Sequence, residues 1–163
     1  MKRLLFVLCC AFFFLVLSTP TSAQAASPVH DLNIISSDIK TLEDGSYFRI
    51  TISENTNSSV LSSILTKTGS KSFTFYAPDG STVWQFTLNG TFRFEPGVSS
   101  SCSSSSYSIS IYDSSWENTS ASSSASGNQA TGDAVFVKRA LFLPIQTENV
   151  FVTLSCDPYG NLS

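Results

Sequence analysis

Histidine and basic residues are scarce in this sequence. The chain contains one histidine, His30, and its 9 Lys and Arg residues against 12 Asp and Glu residues give a net charge of −3. A Ser/His/Asp triad needs a base beside the nucleophile, so abundant serine with a single histidine near the N-terminus indicates no nucleophile. An acidic chain without a basic cluster also argues against nucleic acid or an anionic membrane as the partner.

Motifs that hold cofactors or metal ions are absent as well. The sequence has no glycine-rich phosphate loop, no Cys-x-x-Cys pair and no His-Glu-x-x-His motif. Asp113, Glu117 and Asp133 are candidate calcium ligands, but their spacing matches no calcium-binding loop. We therefore assign no cofactor, no metal ligand and no catalytic residue from the sequence.

The first 25 residues have the pattern of a secretory signal peptide. Met1-Lys2-Arg3 is basic, Leu4–Leu17 is apolar, and Ala23-Gln24-Ala25 is a small-x-small cleavage site. The apolar run is shorter than the roughly 20 residues that a membrane-spanning helix needs. We expect cleavage after Ala25, and a secreted protein without a membrane anchor.

Beyond the signal peptide the sequence contains only two cysteines, Cys102 and Cys156. Two cysteines in an exported protein are typical of one structural disulfide. On the chain-entropy model such a bond would stabilise the fold by about 4 kcal/mol. A reactive thiol or a metal ligand is the alternative interpretation, and a metal site would need more ligands than these two.

Alternation of apolar and polar residues predicts short β-strands along the chain. The predicted strands are Phe48–Ser53, Ser72–Ala77, Tyr107–Tyr112, Thr131–Val137, Leu141–Gln146 and Val150–Cys156. Pro144 marks Leu141–Gln146 as an edge strand, and Glu148-Asn149 is expected to turn the chain after it. Two segments are less regular: Val60–Thr66 fits a helical turn or an irregular strand, and Ser114–Gly127 is expected to form an outer strand with loops.

The longest alternating stretch is Thr82–Phe94, in which Trp84, Phe86, Leu88, Phe92 and Phe94 share one face. Asn89-Gly90 within it is a strong hairpin signal. A hairpin at this point would put the large apolar side chains of its two arms on opposite faces, and exposing them costs more than an imperfect strand residue. We therefore predict one long strand that bends at Gly90 and places Trp84 in the core.

These strands, with turns every 8 to 12 residues and no convincing helix, predict an all-β fold. We expect an antiparallel β-sandwich of the immunoglobulin-like or jelly-roll-like kind, with a closed barrel as the alternative. The expected organisation is a signal peptide over 1–25, an extended and loosely attached N-terminal segment over 26–45, and one sandwich domain over 46–163.

Some aromatic residues do not fit the inward-facing rows. Tyr76, Tyr112 and Trp116 are the candidate ligand contacts among them, since exposed aromatic rings stack on sugars or anchor partner proteins. Packing at the edges of the sheets and pairing across strands is the alternative interpretation of these residues.

Several turns, aromatics and cysteines together resemble those of a known group of proteins. They are Leu42-Glu43-Asp44-Gly45, Lys67–Lys71, Asp79-Gly80, Trp84, Gly90-Thr91-Phe92, Cys102, Tyr112–Trp116, Gln146-Thr147, Leu154, Cys156-Asp157 and Gly160–Ser163. In these the chain is similar to small secreted, uncharacterised proteins of clostridia-like Gram-positive bacteria. The resemblance implies a bacterial source and carries no catalytic or binding residue.

Three functions are compatible with this reading. The preferred one is a non-enzymatic extracellular module that binds a protein or a glycan. The second is a polysaccharide-acting enzyme that uses two carboxylates, for which Glu95, Asp113, Glu117 and Asp133 are available but no spacing selects a pair. The third is a secreted inhibitor or toxin-like protein.

Overall fold

The computed structural model describes residues 32–60 and 63–163, with the side chains of residues 56–60 left out. The predicted signal peptide, the first residues of the N-terminal segment and positions 61 and 62 lie outside the described part. No helix among the described residues is long and apolar enough to cross a membrane.

The described chain forms eight β-strands. They are β1 (Leu32–Thr41), β2 (Tyr47–Val60), β3 (Leu65–Tyr76), β4 (Thr82–Glu95), β5 (Ser99–Ile111), β6 (Trp116–Ser126), β7 (Gln129–Ala140) and β8 (Leu143–Ser155). All neighbouring strands pair antiparallel, in a five-stranded sheet of order β1-β2-β3-β4-β5 and a three-stranded sheet of order β6-β7-β8. The two sheets do not close into a barrel, so the predicted β-sandwich is confirmed. Both sheets are simple meanders, whereas immunoglobulin and jelly-roll folds contain Greek-key connections.

The core lies between the two sheets and is built from alternate residues of the central strands. In the five-stranded sheet β4 contributes Trp84, Phe86, Leu88, Phe92 and Phe94, all of them buried. The three-stranded sheet supplies the opposing side chains Ala130, Ala134, Phe136, Val150, Val152 and Leu154. The prediction that Trp84 is a core residue is confirmed.

The stretch Thr82–Phe94 is one continuous strand, as predicted, and Asn89-Gly90 makes no turn. A side chain at Gly90 would point into the core, where its Cβ would lie 2.6 Å from the ring of Phe92 and 3.2 Å from Ala130. The pairing of β4 with β5 shifts register one step beyond this glycine, between Thr91 and Phe92. Gly90 is therefore required because the Phe92 ring folds over it.

Strands are longer than predicted in three places. Residues 32–41 of the N-terminal segment pair with β2, so this part of the segment is not loosely attached. The polar stretch 54–59 continues β2, and the serine-rich stretch around Cys102 belongs to β5. Backbone pairing with a neighbouring strand holds each of these segments, although their side chains show little alternation.

The prediction of a turn at Glu148-Asn149 is wrong. Both residues lie inside β8, opposite Phe136 and Val135 of β7. The chain reverses instead at Leu141 and Phe142, and the interrupted strand around Pro144 is the beginning of β8. Its assignment as an edge strand is confirmed, because β8 is the last strand of its sheet.

The two sheets differ in width. The three-stranded sheet lies mainly over β3, β4 and β5. Among the described residues no strand therefore packs over most of the inner face of β1 and β2, and all ten residues of β1 are exposed. An open groove remains between this uncovered face and β8.

Candidate functional site

The connection between β7 and β8 is a two-residue hairpin turn made of Leu141 and Phe142. Ala140 pairs with Leu143 across it, and the φ angles of 47° at Leu141 and 73° at Phe142 are those of a type I′ turn. Glycine, asparagine and aspartate are the residues that favour this conformation. Both side chains are 92% exposed. The turn therefore places two residues other than glycine in a strained backbone conformation, and it exposes their apolar side chains to water.

The apolar surface continues from the tip into β8, where Leu143 and Ile145 are also exposed. We call Leu141, Phe142, Leu143 and Ile145 the apolar tip. Sequence reasoning missed it because Leu-Phe carries no turn signal, and alternation alone suggested that Leu141 begins a strand.

The side chain of Arg139 connects this turn to β6. Its guanidinium donates to the backbone oxygen of Phe142 (3.3 Å) and forms an ion pair with Glu117 of β6 (2.5 Å). The backbone N–H of Arg139 donates to the oxygen of Ser115 (2.8 Å). A hollow of about 310 Å³ lies between the turn and the segment 114–117. The contacts of Arg139 hold the hairpin in one orientation against β6.

Trp116 does not offer an open ring to a ligand. It is 4% exposed, and its ring centroid lies 5.5 Å from that of Phe75 and 6.3 Å from that of Trp84. Trp116 also lines the hollow behind the apolar tip. The proposal of Trp116 as a surface contact is corrected accordingly, since the first residue of β6 packs into the core.

The two tyrosines proposed as ligand contacts lie in different environments. Tyr76 is half-buried and stacks on Tyr47 with centroids 4.6 Å apart, while the Arg49 guanidinium lies 5.0 Å from its ring. Tyr112 is 60% exposed, and its backbone N–H donates to the oxygen of Val83 (2.8 Å). The three predicted aromatic contacts therefore do not form one platform.

Four aspartate side chains accept hydrogen bonds within the turns of this fold. Asp44 and Asp79 each accept the backbone N–H and the hydroxyl of the serine two residues later, through one carboxylate oxygen. Asp113 accepts the N–H of Ser115, and Asp157 accepts those of Tyr159 and Asn161. Hydrogen bonds within each turn lower the pKa of all four carboxyl groups.

Of the carboxylates considered for metal or glycoside chemistry, Asp113, Glu117 and Asp133 have structural partners. Glu117 pairs with Arg139, and Asp133 accepts the hydroxyl of Ser122 (3.4 Å). Within the described residues no group of three or more His, Cys, Asp or Glu side chains is arranged to hold a metal ion. These residues support the hairpins instead of converging on a cleft.

Cys102 and Cys156 are free thiols in this structure, so the expected disulfide is not formed. Both are nevertheless held by the turn between β6 and β7: Cys102 N–H donates to Gly127 (2.7 Å) and Cys156 N–H to Asn128 (3.1 Å). Burial raises the pKa of Cys102, and it raises that of Cys156 to about 11. The backbones of the two cysteines are thus tied to adjacent residues of one turn, and both thiols are protonated at neutral pH.

A second concave surface is the groove beside β8, with a volume of about 440 Å³. Ile50, Ile52 and Phe73 form its apolar part, and Phe151–Thr153 of β8 forms one wall. Ser36, Asp38 and Lys71 add polar groups.

No protein family model, no curated protein and no solved structure matches this chain.

Proposed function

We propose that this protein is a secreted, non-enzymatic binding module that contacts a partner protein through the apolar tip. The observation that carries the proposal is the pair Leu141 and Phe142, exposed at 92% in a turn with positive φ. A left-handed conformation costs a residue other than glycine about 1–2 kcal/mol. Strained residues of this kind cluster at functional sites.

The fold alone gives no reason for Leu-Phe at this position. Asn-Gly would close the same two-residue turn with little strain and with a polar surface. Exposed apolar groups that lie together mark interaction sites more often than isolated ones do. The apolar tip combines three aliphatic side chains with an aromatic ring, as the buried centre of a protein interface does.

The tip is also held ready for binding. Arg139 fixes the turn through Phe142 and Glu117, so little conformational entropy remains to be lost when a partner binds. A convex, preorganised tip fits a pocket on a partner protein better than the flat ring of a sugar. This favours a protein over a glycan among the partners expected from the sequence.

The polysaccharide-acting enzyme receives less support. Asp113 and Glu117 are engaged by Ser115 and Arg139, respectively. A glycosidase requires one carboxylic acid and one carboxylate that face each other across a substrate cleft. The secreted inhibitor is the better second candidate, because an inhibitor also inserts a rigid convex loop into the cleft of its target.

The proposal includes export and oxidation of the two thiols. The signal-peptide pattern and the resemblance to secreted proteins of Gram-positive bacteria support export. Outside the cell a low-molecular-weight disulfide can accept two electrons from Cys102 and Cys156, which form one S–S bond while two external thiols are released. That bond would join β5 to the chain end that follows β8.

The test replaces Phe142 with the photo-crosslinking residue p-benzoylphenylalanine and exposes the protein to intact cells and their secreted proteins. The same substitution at Val98, which is also exposed and apolar, is the matched control. We expect one discrete adduct from position 142 and none from position 98. Excess unlabelled protein should compete with the adduct, and the Leu141→Asn/Phe142→Gly variant should not.

That double variant separates binding from folding. Asn-Gly suits the type I′ turn, so the variant should unfold at a higher urea concentration than the natural chain while it loses the partner. Equal competition by the variant and the natural protein would refute the proposal. Binding of the natural protein to phospholipid vesicles, without any protein adduct, would also refute it and assign the tip to a lipid surface.

A further inference from the structure

The groove beside β8 lies where the narrower sheet ends. β8 pairs with β7 on one side. On its other edge the last residue, Ser155, exchanges two backbone hydrogen bonds with Ser163 (2.9 and 3.0 Å), and the rest of that edge has no strand neighbour within the described part of the chain. Its residues Phe151–Thr153 border the groove, and Phe151 is 66% exposed. An edge strand presents N–H and C=O groups that another extended chain can pair with.

The floor of the groove has two levels set by strand register. Ser36, Ile52 and Lys71 lie side by side on β1, β2 and β3 at the first level. Asp38, Ile50 and Phe73 form the second level in the same way. Residues two apart on a strand lie on the same face, roughly 7 Å apart. A strand added beside β8 would therefore place one inward side chain at each level.

Lys71 gives the first level a charge without a partner. Among the described residues it makes no ion pair and no hydrogen bond, whereas Lys67 pairs with Glu54. Ile52 and Leu88 are its cross-strand neighbours, and desolvation by these surroundings lowers the pKa of its amine. A partly buried ammonium group of this kind gains most from a carboxylate that reaches it from the groove.

At the second level the chemistry is different. Phe73 and Ile50 are apolar, and the carboxylate of Asp38 accepts the backbone N–H of Ile39 (2.8 Å). An apolar side chain fits here, and a second acidic one would be repelled by Asp38. The groove thus distinguishes its two levels by charge.

We propose that the groove binds an extended segment of another protein, which joins the β6-β7-β8 sheet as a fourth strand. The segment carries an acidic side chain beside Lys71 and an apolar side chain, two residues away, against Phe73. Backbone pairing with β8 provides affinity and the two side chains provide specificity, as in other cases of strand addition. This site is separate from the apolar tip, and its existence does not depend on the partner proposed for the tip.

The test uses purified protein and a synthetic library of acetylated, amidated heptapeptides of sequence T-X-T-E-T-X-T, in which X is Val, Ile, Leu, Phe or Tyr. Alternation places both X residues and the glutamate on one face. We expect library members to bind and to shift the NMR signals of β8 and Lys71. Replacing the glutamate by glutamine should weaken binding about tenfold, since hydrogen bonds to charged groups contribute more than neutral ones.

Two variants test whether Lys71 causes the preference for glutamate over glutamine. Lys71→Met should bind glutamate and glutamine peptides equally, because it removes the amine and keeps an apolar stem. Arg93→Met, which changes an exposed cation on β4 that does not line the groove, should behave as the natural protein. Peptides with glutamate at both levels should bind more weakly than those with one.

N-methylated peptides test the strand pairing itself. Alternate amide groups of an extended peptide point to opposite edges, so methylation of one alternate set should abolish binding and methylation of the other set should change it only a few-fold. No binding across the library at about 1 mM, which corresponds to a binding free energy near −4 kcal/mol, would overturn the proposal. Binding that ignores Lys71→Met, or that tolerates both N-methylated sets, would overturn it too.

Discussion

The ring of Trp84 stacks on the ring of Phe136, with centroids 3.9 Å apart and planes at 5°. Trp84 belongs to β4 of the larger sheet and Phe136 to β7 of the smaller one, and both are fully buried. This contact joins an inner strand of the larger sheet to the central strand of the smaller one. The stack is therefore one of the contacts that position the smaller sheet and the hairpin that ends in the apolar tip.

Shortening Phe136 should therefore destabilise the whole sandwich. We expect Phe136→Ala to lower the free energy of unfolding by about 3–5 kcal/mol, the range for loss of a buried aromatic ring. Urea denaturation followed by circular dichroism measures it.

Trp84→Phe is the matched control, because it keeps a ring for the stack. It also removes the Trp84 indole N–H, the one buried side-chain polar atom without a hydrogen-bond partner among the described residues. This variant should lose less stability than Phe136→Ala. An equal or larger loss would show that the stack does not dominate the contact between the sheets.

Gly90→Ala tests the account of the long strand. The added Cβ would lie 2.6 Å from the Phe92 ring, so we expect a loss of about 1–3 kcal/mol, the range for an overpacked core. Gly80→Ala is a useful comparison, since Gly80 has φ 84° and open space around its Cβ position. Its cost should arise from backbone strain alone and amount to about 1 kcal/mol.

Combination with a smaller ring separates these two causes. Phe92→Leu should recover part of the stability that Gly90→Ala loses, because the Cβ and the ring compete for one space. The same change should leave the cost of Gly80→Ala unaffected. Strictly additive effects at 90 and 92 would contradict the packing explanation.

The sequence was most informative where one face of a strand is buried. Trp84, Phe86 and Leu88 alternate because every second residue of β4 faces the core, and this pattern outweighed the local turn signal of Asn89-Gly90. The turn between β3 and β4 also has a local signature, since Pro78-Asp79-Gly80 favours a reverse turn and the N–H of Gly80 donates to the oxygen of Ala77 (2.9 Å).

Elements without a buried face gave weaker signals. β1 is exposed at every position, and the serine-rich part of β5 has little apolar alternation, so their backbone pairing could not be inferred from side chains. The apolar tip lacks turn residues, and the groove depends on register between distant strands, including that of Lys71 and Ile52. Trp116 fits a surface or a core position equally well until its neighbours are known.

Acid should destabilise the fold through its turn aspartates. Their pKa values are lower in the folded protein than the ordinary value of about 4, so between the two values the unfolded chain binds more protons. Stability is then complete above about pH 4 and falls as the pH drops through the folded-state pKa values. Urea midpoints measured from pH 7 to pH 2 should show this decrease.

The variant Asp44→Asn/Asp79→Asn isolates the turns. In each turn one carboxylate oxygen accepts both bonds from the serine, so an amide oxygen can replace it without a titrating group. We expect near-natural stability at pH 7 and a smaller loss below pH 4. The same acid dependence in the variant and the natural protein would contradict the assignment.

The two thiols should respond to oxidation as a pair. In the reduced protein burial holds the pKa of Cys156 at about 11 and raises that of Cys102, so alkylation by iodoacetamide at pH 8 should be slower than in the urea-unfolded chain. Cys102, which is less buried, should react before Cys156. In a separate experiment, incubation of the unalkylated protein with oxidised glutathione should form the disulfide. The product should be lighter by two hydrogen atoms and contain no free thiol.

Cys102→Ser provides the control for stability. Under reducing conditions the variant should unfold at nearly the urea concentration of the natural protein, because serine is close to cysteine in size. Under oxidising conditions the natural protein should gain about 4 kcal/mol from the closed loop, and the variant should gain nothing. Mixed disulfides with glutathione at both cysteines, in place of an internal bond, would show that the turn at Gly127 and Asn128 holds the two thiols too far apart.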